Sequence, residues 1–397
     1  MSTYRDLFRT PQFLPLFVSS SLGVAGTTVS GLALSTLVYA ATGSPLLAAL
    51  SMFGASFAQM IGAMTVLSAA DRLPPRAALT GIALLFAVGT AMLAVPGLPG
   101  WGTALVILGI GLVNSVAGGV RWSLLGEIVS AERYLLGRSV FNMAVGVMQI
   151  AGFAVGGVLV AVLSARWTLL IAVTLYLLAA AVARFGLSER PPRSPGRPSV
   201  RRTWRVNGML WSSPARRATY AAMWLPNGLI VGAEALFVPY SPDAAGALFM
   251  AAALGMLVGD TLVGRILPVR HRFITPLQAL LAAPFVLFAL PLPLGVAVAA
   301  AALGAVGYGG SLLLQDRLLA QTDTAIRGQA LALHSAGMLT MQAVGATVAG
   351  AVAQFLPVGT AMAVMAVGSL VVTALLAPAL RRPVVAPRMS NLVGSGQ

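Results

Sequence analysis

The side chains able to do acid–base or charge chemistry are few in this chain, and their types narrow the choice. Ten carboxylates stand against 25 basic residues, every one an arginine, with two histidines and no cysteine. Without cysteine there is no disulfide and no thiolate metal site. Without lysine there is no G-x-x-x-x-G-K-[ST] phosphate loop and no Schiff base. His271 and His334 cannot form an H-E-x-x-H pair, so neither a metal nor a cofactor is expected. Two arrangements remain. Asp71-Arg72 with Arg76 puts a carboxylate and two guanidinium groups into one short turn. There the acid can accept N–H bonds from a neighbouring helix N-terminus, or hold arginine by charge-assisted bonds. Glu127 is a further acidic partner for that cluster. Glu234 lies inside an apolar run, and an intramembrane acid is a functional candidate by default.

These groups need a scaffold, and composition says which. The chain is 58% hydrophobic and 9% charged, against about 25% charged for a soluble domain. A membrane-spanning helix needs about 20 apolar residues. Twelve segments qualify: 14–40, 45–67, 77–96, 101–124, 138–163, 167–187, 218–240, 244–264, 273–292, 295–315, 328–355 and 358–380. The first runs too long for a signal-peptide core. With the N-terminus inside, Arg5, Arg72, Arg121, Arg184, Arg272, Arg317 and Arg381 and their neighbours fall on one side, and only Arg166 on the other. This alternation predicts cytoplasmic N- and C-termini. The net charge of +15 then faces anionic lipid and calls for no nucleic-acid partner.

The chain divides into a six-span bundle over 1–187, an Arg/Pro-rich linker over 188–217, a second six-span bundle over 218–380, and a tail over 381–397. The linker, SERPPRSPGRPSVRRTWR and onward, reads as an extended tether. Trp204, Met209, Leu210 and Trp211 are its one hint of a short surface helix. LLGRSVFNMAVGVMQIAGFAVGG in the fifth span echoes IRGQALALHSAGMLTMQAVGATVAG in the eleventh. Two six-helix halves with repeat character point to one transporter architecture.

At this point the sequence resembles a major facilitator superfamily transporter. The turn Leu67-Ser-Ala-Ala-Asp71-Arg72-Leu-Pro74-Pro75-Arg76 resembles that family's G-x-L-A-D-R-x-G-R-R loop, with Leu67, Pro74 and Pro75 departing from it. Gly152-Phe-Ala-Val-Gly156-Gly157 resembles the G-P-x-x-G-G motif of its antiporters, with Phe153 in place of proline. The N-terminal run YRDLFRTPQFLPLFVSSSLGVAGTTVSGLAL is similar to the macrolide-efflux and siderophore-exporter (drug:proton antiporter) branch. The arginine often found on the fourth span, near Ile110 or Gly111, is absent. The resemblance implies an all-α polytopic protein of twelve transmembrane helices in two bundles. It also implies a multi-pass, monomeric transporter of the cytoplasmic membrane. Its partners are lipid, protons and an exported amphipathic small molecule, a drug or secondary metabolite. It further implies an inner gate at Asp71, Arg72 and Arg76. A metabolite importer or facilitator and a non-transporting scaffold or sensor are the alternatives.

Depth along the spans ranks the other groups. Glu234 is 17 residues past Arg217, roughly 25 Å along a helix. In a core about 30 Å thick that lies close to the far face, so a solvated rim residue and a coupling group are the two readings. Gln59, Asn114, Gln149, Asn227, His334 and Gln342 are polar groups inside spans. Each is a cavity candidate or an interhelical hydrogen-bond former, and at least two are expected in a cavity. Met52, Phe53, Phe57 and Met60 read as packing. Asp260 and Asp316 read as loop anchors. Gly146, Gly152, Gly156 and Gly157 permit close approach between the fifth span and a helix of the other half.

Overall fold

The computed structural model describes residues 4–65, 73–191, 200–266 and 271–382. Asp71, Arg72, the early linker and the tail lie outside these residues. Twelve helical spans are long and apolar enough to cross a membrane, as expected. They are α1 (Phe13–Thr42), α2 (Pro45–Gly62), α3 (Pro75–Ala94), α4 (Gly100–Ile128), α5 (Leu136–Leu163) and α6 (Ala165–Gly186). After the linker come α7 (Pro214–Tyr240), α8 (Ala245–Gly264), α9 (His271–Ala289), α10 (Leu294–Ala320), α11 (Arg327–Val352) and α12 (Val358–Arg381).

Local chemistry sets the turns. Gly43 closes α1 in the left-handed region, φ 62°, its N–H bonding the Tyr39 carbonyl at 2.8 Å. Glycine adopts this φ without a Cβ penalty. Ser44 then caps α2, its Oγ accepting from the Leu47 N–H at 3.3 Å, with Pro45 in the first helical position. Ser213 and Pro214 repeat that device at α7.

The packing repeats with an offset of six. In the first half α1 packs on α5 and α6, α2 on α4, and α3 on α6. In the second half α7 packs on α11 and α12, α8 on α10, and α9 on α12. Across the halves, α5 meets α8 and α2 meets α11. An even number of spans brings both described ends of the chain to the arginine-rich end of the bundle.

The linker departs from the expected tether. Val200–Ser212 is a helix. Leu210 is fully buried in a cluster with Tyr220, Met223 and Ile274. Trp211 stacks on Trp224 with ring centroids 5.7 Å apart. The Arg216 guanidinium donates to the Met209 and Leu210 carbonyls at 2.6 and 3.0 Å and to that of Gln321 at 3.2 Å. Of the apolar residues that suggested a surface helix, Leu210 is buried against the second half, Trp211 stacks on it while 44% exposed, and Met209 is 47% exposed.

Candidate functional site

A cavity of about 450 Å³ lies between the halves. Glu234 lines it, only 9% exposed, and accepts a hydrogen bond from Tyr308 Oη at 3.1 Å. This corrects the solvated-rim reading. Depth along one helix does not report burial: α7 is regular from Pro214 to Glu234 and turns only beyond it, at Ala235 and Leu236, and other spans cover the carboxylate. Tyr308 sits on a 3₁₀ turn, Gly307–Gly309, that interrupts α10. Asp260 also lines the cavity, two residues before a π-helical turn, Leu262–Ile266, so the loop-anchor reading of this residue is corrected as well. Glu234, Tyr308 and Asp260 therefore stand at or beside breaks in regular helix. Such breaks free backbone and re-aim side chains where a helix lines a cavity.

The uncharged candidates separate into two groups. Asn227, Gln149 and Gln342 line the cavity, and Gln342 Nε2 donates to Asn227 Oδ1 at 3.4 Å. Asn114 instead lines a second cavity inside the first half. Gln59 and His334 line neither. His334 is buried, and its backbone carbonyl accepts from Trp224 Nε1 at 3.1 Å. Met52 and Phe53, expected as packing, face the central cavity. Met60 accepts a hydrogen bond from Thr340 of α11 at 2.8 Å. Asp316 behaves as an anchor, 3.1 Å from His271 Nε2. Sequence reasoning missed Tyr308. The glycine cluster Gly304, Gly307, Gly309 and Gly310 around it was the available signal for a broken helix.

One end of the cavity is closed. Phe153 of α5 stacks on Phe249 of α8, centroids 4.8 Å apart and planes 16° off parallel. Phe153 occupies the proline position of the antiporter motif, so this departure contributes an aromatic contact between the halves. One turn further, Gly157 meets Gly246. A Cβ on Gly246 would stand 2.6 Å from the Gly157 Cα and 2.9 Å from the Phe153 carbonyl oxygen. Gly146 faces Leu257 of α8 more loosely, at 3.7 Å. Gly152 and Gly156 depart from the expectation of contact with the other half. Gly152 faces Thr28, and Gly156 faces Val29 and Leu32, all on α1. At the same end Gln354 Nε2 donates to Ser44 Oγ at 2.8 Å, tying α2 to the chain after α11. A pocket there is lined by both Arg166 and Asp243, opposite charges from the two halves.

At the arginine-rich end, Arg76 and Glu127 are engaged by the chain leaving α6. Arg76 pairs with Glu189 at 2.5 Å, and Arg190 with Glu127 at 3.0 Å. These pairs tie the first half to the start of the linker. Asp71 and Arg72, their expected companions, lie outside the described residues.

The Major Facilitator Superfamily model matches residues 16–314. No curated protein matches the chain. Among solved structures, a bacterial homolog of the human lysosomal transporter Spinster, inward-facing and unoccupied, is 14% identical with a TM-score of 0.71, covering 93% of this chain and 96% of that one. The peptide transporter POT in complex with sulfate is 14% identical with a TM-score of 0.72, covering 96% and 99%. A POT family transporter in complex with 5-aminolevulinic acid is 12% identical with a TM-score of 0.71, covering 95% and 100%. At these identities the likeness is one of fold.

Proposed function

The chain belongs to the major facilitator superfamily, and from that membership we propose that it exports an amphipathic small molecule across the cytoplasmic membrane in exchange for protons. It is a secondary transporter working by alternating access, not an enzyme. The observation that carries the export reading is a buried carboxylate in a cavity otherwise rich in Met52, Phe53, Phe153, Phe249, Met256 and Met338. Aromatic and thioether side chains take an apolar body without demanding one shape. Glu234 is the proton carrier in this reading. The arginine distribution supports cytoplasmic termini. In that orientation the Phe153–Phe249 end faces outward, closed, and the cavity runs from Glu234 toward the cytoplasm, where Asp260 and Gln315 line it. An exporter loads from that side.

The turn at Asp71, Arg72 and Arg76, with Glu127, closes the cytoplasmic end in the opposite conformer. Here Arg76 pairs with Glu189, and Glu127 with Arg190. Glu189 is largely exposed, and an exposed pair contributes only about 0.2–1 kcal/mol, so the Arg76–Glu189 pair releases easily for the gate. One charge moved across 100 mV supplies about 2.3 kcal/mol, enough to drive accumulation. Everted vesicles test the reading with rhodamine 6G, an amphipathic dye. Uptake abolished by an uncoupler is the expected result. Uptake indifferent to the uncoupler would mark a facilitator, and no flux of this dye or other amphipathic solutes would reject export.

A further inference from the structure

The second cavity, about 320 Å³, lies wholly within the first half, among α1, α3, α4, α5 and α6. Arg121 of α4 lines it. The Nε of that guanidinium is buried without a hydrogen-bond partner, and its Cζ lies 4.8 Å over the Trp122 ring. No carboxylate is among the described residues lining the cavity. A cation inside a membrane span is expensive, and such residues ordinarily pair with an acid or face a route for solute. A buried donor without a partner is a further cost. Among the described residues Arg121 pairs with no acid, and it faces a cavity. The amides of Asn114 and Gln149 line the same cavity and supply neutral donors, while the Tyr176 hydroxyl is already spent on Thr27 Oγ1 at 3.1 Å. Thr27, Thr28 and Gln149 line this cavity and the central one together, so the two spaces adjoin. The cation stands in the first half, and the acids Glu234 and Asp260 stand in the second.

Resting on the transport reading above, we propose that the second cavity is an anion subsite and that the transported molecule is an amphipathic acid. Its carboxylate or sulfonate binds the Arg121 guanidinium, whose planar fork suits a bidentate oxyanion. Its apolar body extends past Thr28 and Gln149 into the aromatic cavity. Glu234 is thereby left for the proton.

The test uses the full chain in lipid nanodiscs and two probes of one shape, dansyl-leucine and its uncharged amide. The wild type is expected to bind the acid at least tenfold more tightly than the amide. Arg121→Gln should erase that preference, and Arg121→Lys should keep part of it. Equal binding of the two probes by the wild type, binding of neither, or a preference surviving in Arg121→Gln would each overturn the proposal. The wild-type comparison stands even if the variants fail to fold. Energised transport, read with both dansyl-leucine and the cationic dye rhodamine 6G, separates the two readings. Uncoupler-sensitive dye flux without acid preference defeats only the anion subsite. Acid preference without energised flux of either probe defeats only the export reading.

Discussion

At Glu234 the chain exchanges hydration of a carboxylate for burial and a hydrogen bond from Tyr308 Oη. Glutamine keeps the shape and removes the titration. Glu234→Gln is therefore expected to keep the fold, abolish uncoupler-sensitive dye accumulation, and flatten its dependence on pH. An unchanged pH profile in proteoliposomes would remove Glu234 from the coupling. Tyr308→Phe deletes one hydrogen bond, about 1 kcal/mol, and should alter transport only several-fold, with the uncoupler response retained. A Tyr308→Phe variant as inactive as Glu234→Gln would mean that the hydroxyl itself relays the proton. The identity of Glu234 was legible in the sequence because an acid in an apolar run stands out. Its burial was not, because depth along one helix says nothing of what the other spans close over it. Arg121 illustrates the same limit. In sequence it counts as one more cytoplasmic arginine, and only the packing of five spans shows it facing a cavity.

Helix ends and crossings were partly legible. Hydropathy located all twelve spans because lipid demands unbroken apolar length. The glycines of the fifth span signalled close approach, but four glycines on one helix point in more than one direction. Gly157 alone of them meets another backbone across the halves, while Gly152 and Gly156 pack on α1. Gly156→Leu should accordingly disturb the first bundle. Gly246→Leu should force α5 and α8 apart and open the Arg166–Asp243 end. The absence of native cysteine makes this measurable. A cysteine at Thr36, which lines the pocket at that end, should be labelled faster by an impermeant thiol reagent in the Gly246→Leu background, and an unchanged rate would show that α5 and α8 tolerate the side chain without parting. The linker helix was legible only as a hint, because its arginines match a tether as well as a helix. What holds it is Arg216, capping its final carbonyls from outside the helix. A charge-assisted bond is worth about 1.5–3 kcal/mol. Arg216→Ala removes both of these bonds and should speed tryptic cleavage at Arg205 by at least about tenfold if cleavage follows local opening.

For the whole molecule, the repeat with an offset of six explains why two crossings close the same end together. α5–α8 and α2–α11 are equivalent contacts, each joining the halves. They act as two parts of one hinge around the cavity, so a rocking motion needs no change inside either half. This gives opposite signs to two substitutions. Asp71→Asn should weaken the gate proposed to close the cytoplasmic end in the outward-open conformer, and so tip the population toward the conformer described here. Gly246→Leu obstructs the closed end of this conformer and tips the population away from it. A cysteine at Gln315, which lines the cavity on the side that is cytoplasmic in the proposed orientation, reads the balance from inside. Its labelling in everted vesicles should rise in Asp71→Asn and fall in Gly246→Leu, while both variants insert normally and both lose transport. A thermodynamic bias on one equilibrium requires this antisymmetry. If both substitutions moved labelling in the same direction, the two ends would not be coupled. The turn at Asp71 would then be a solvated loop, with transport lost for separate local reasons at each end.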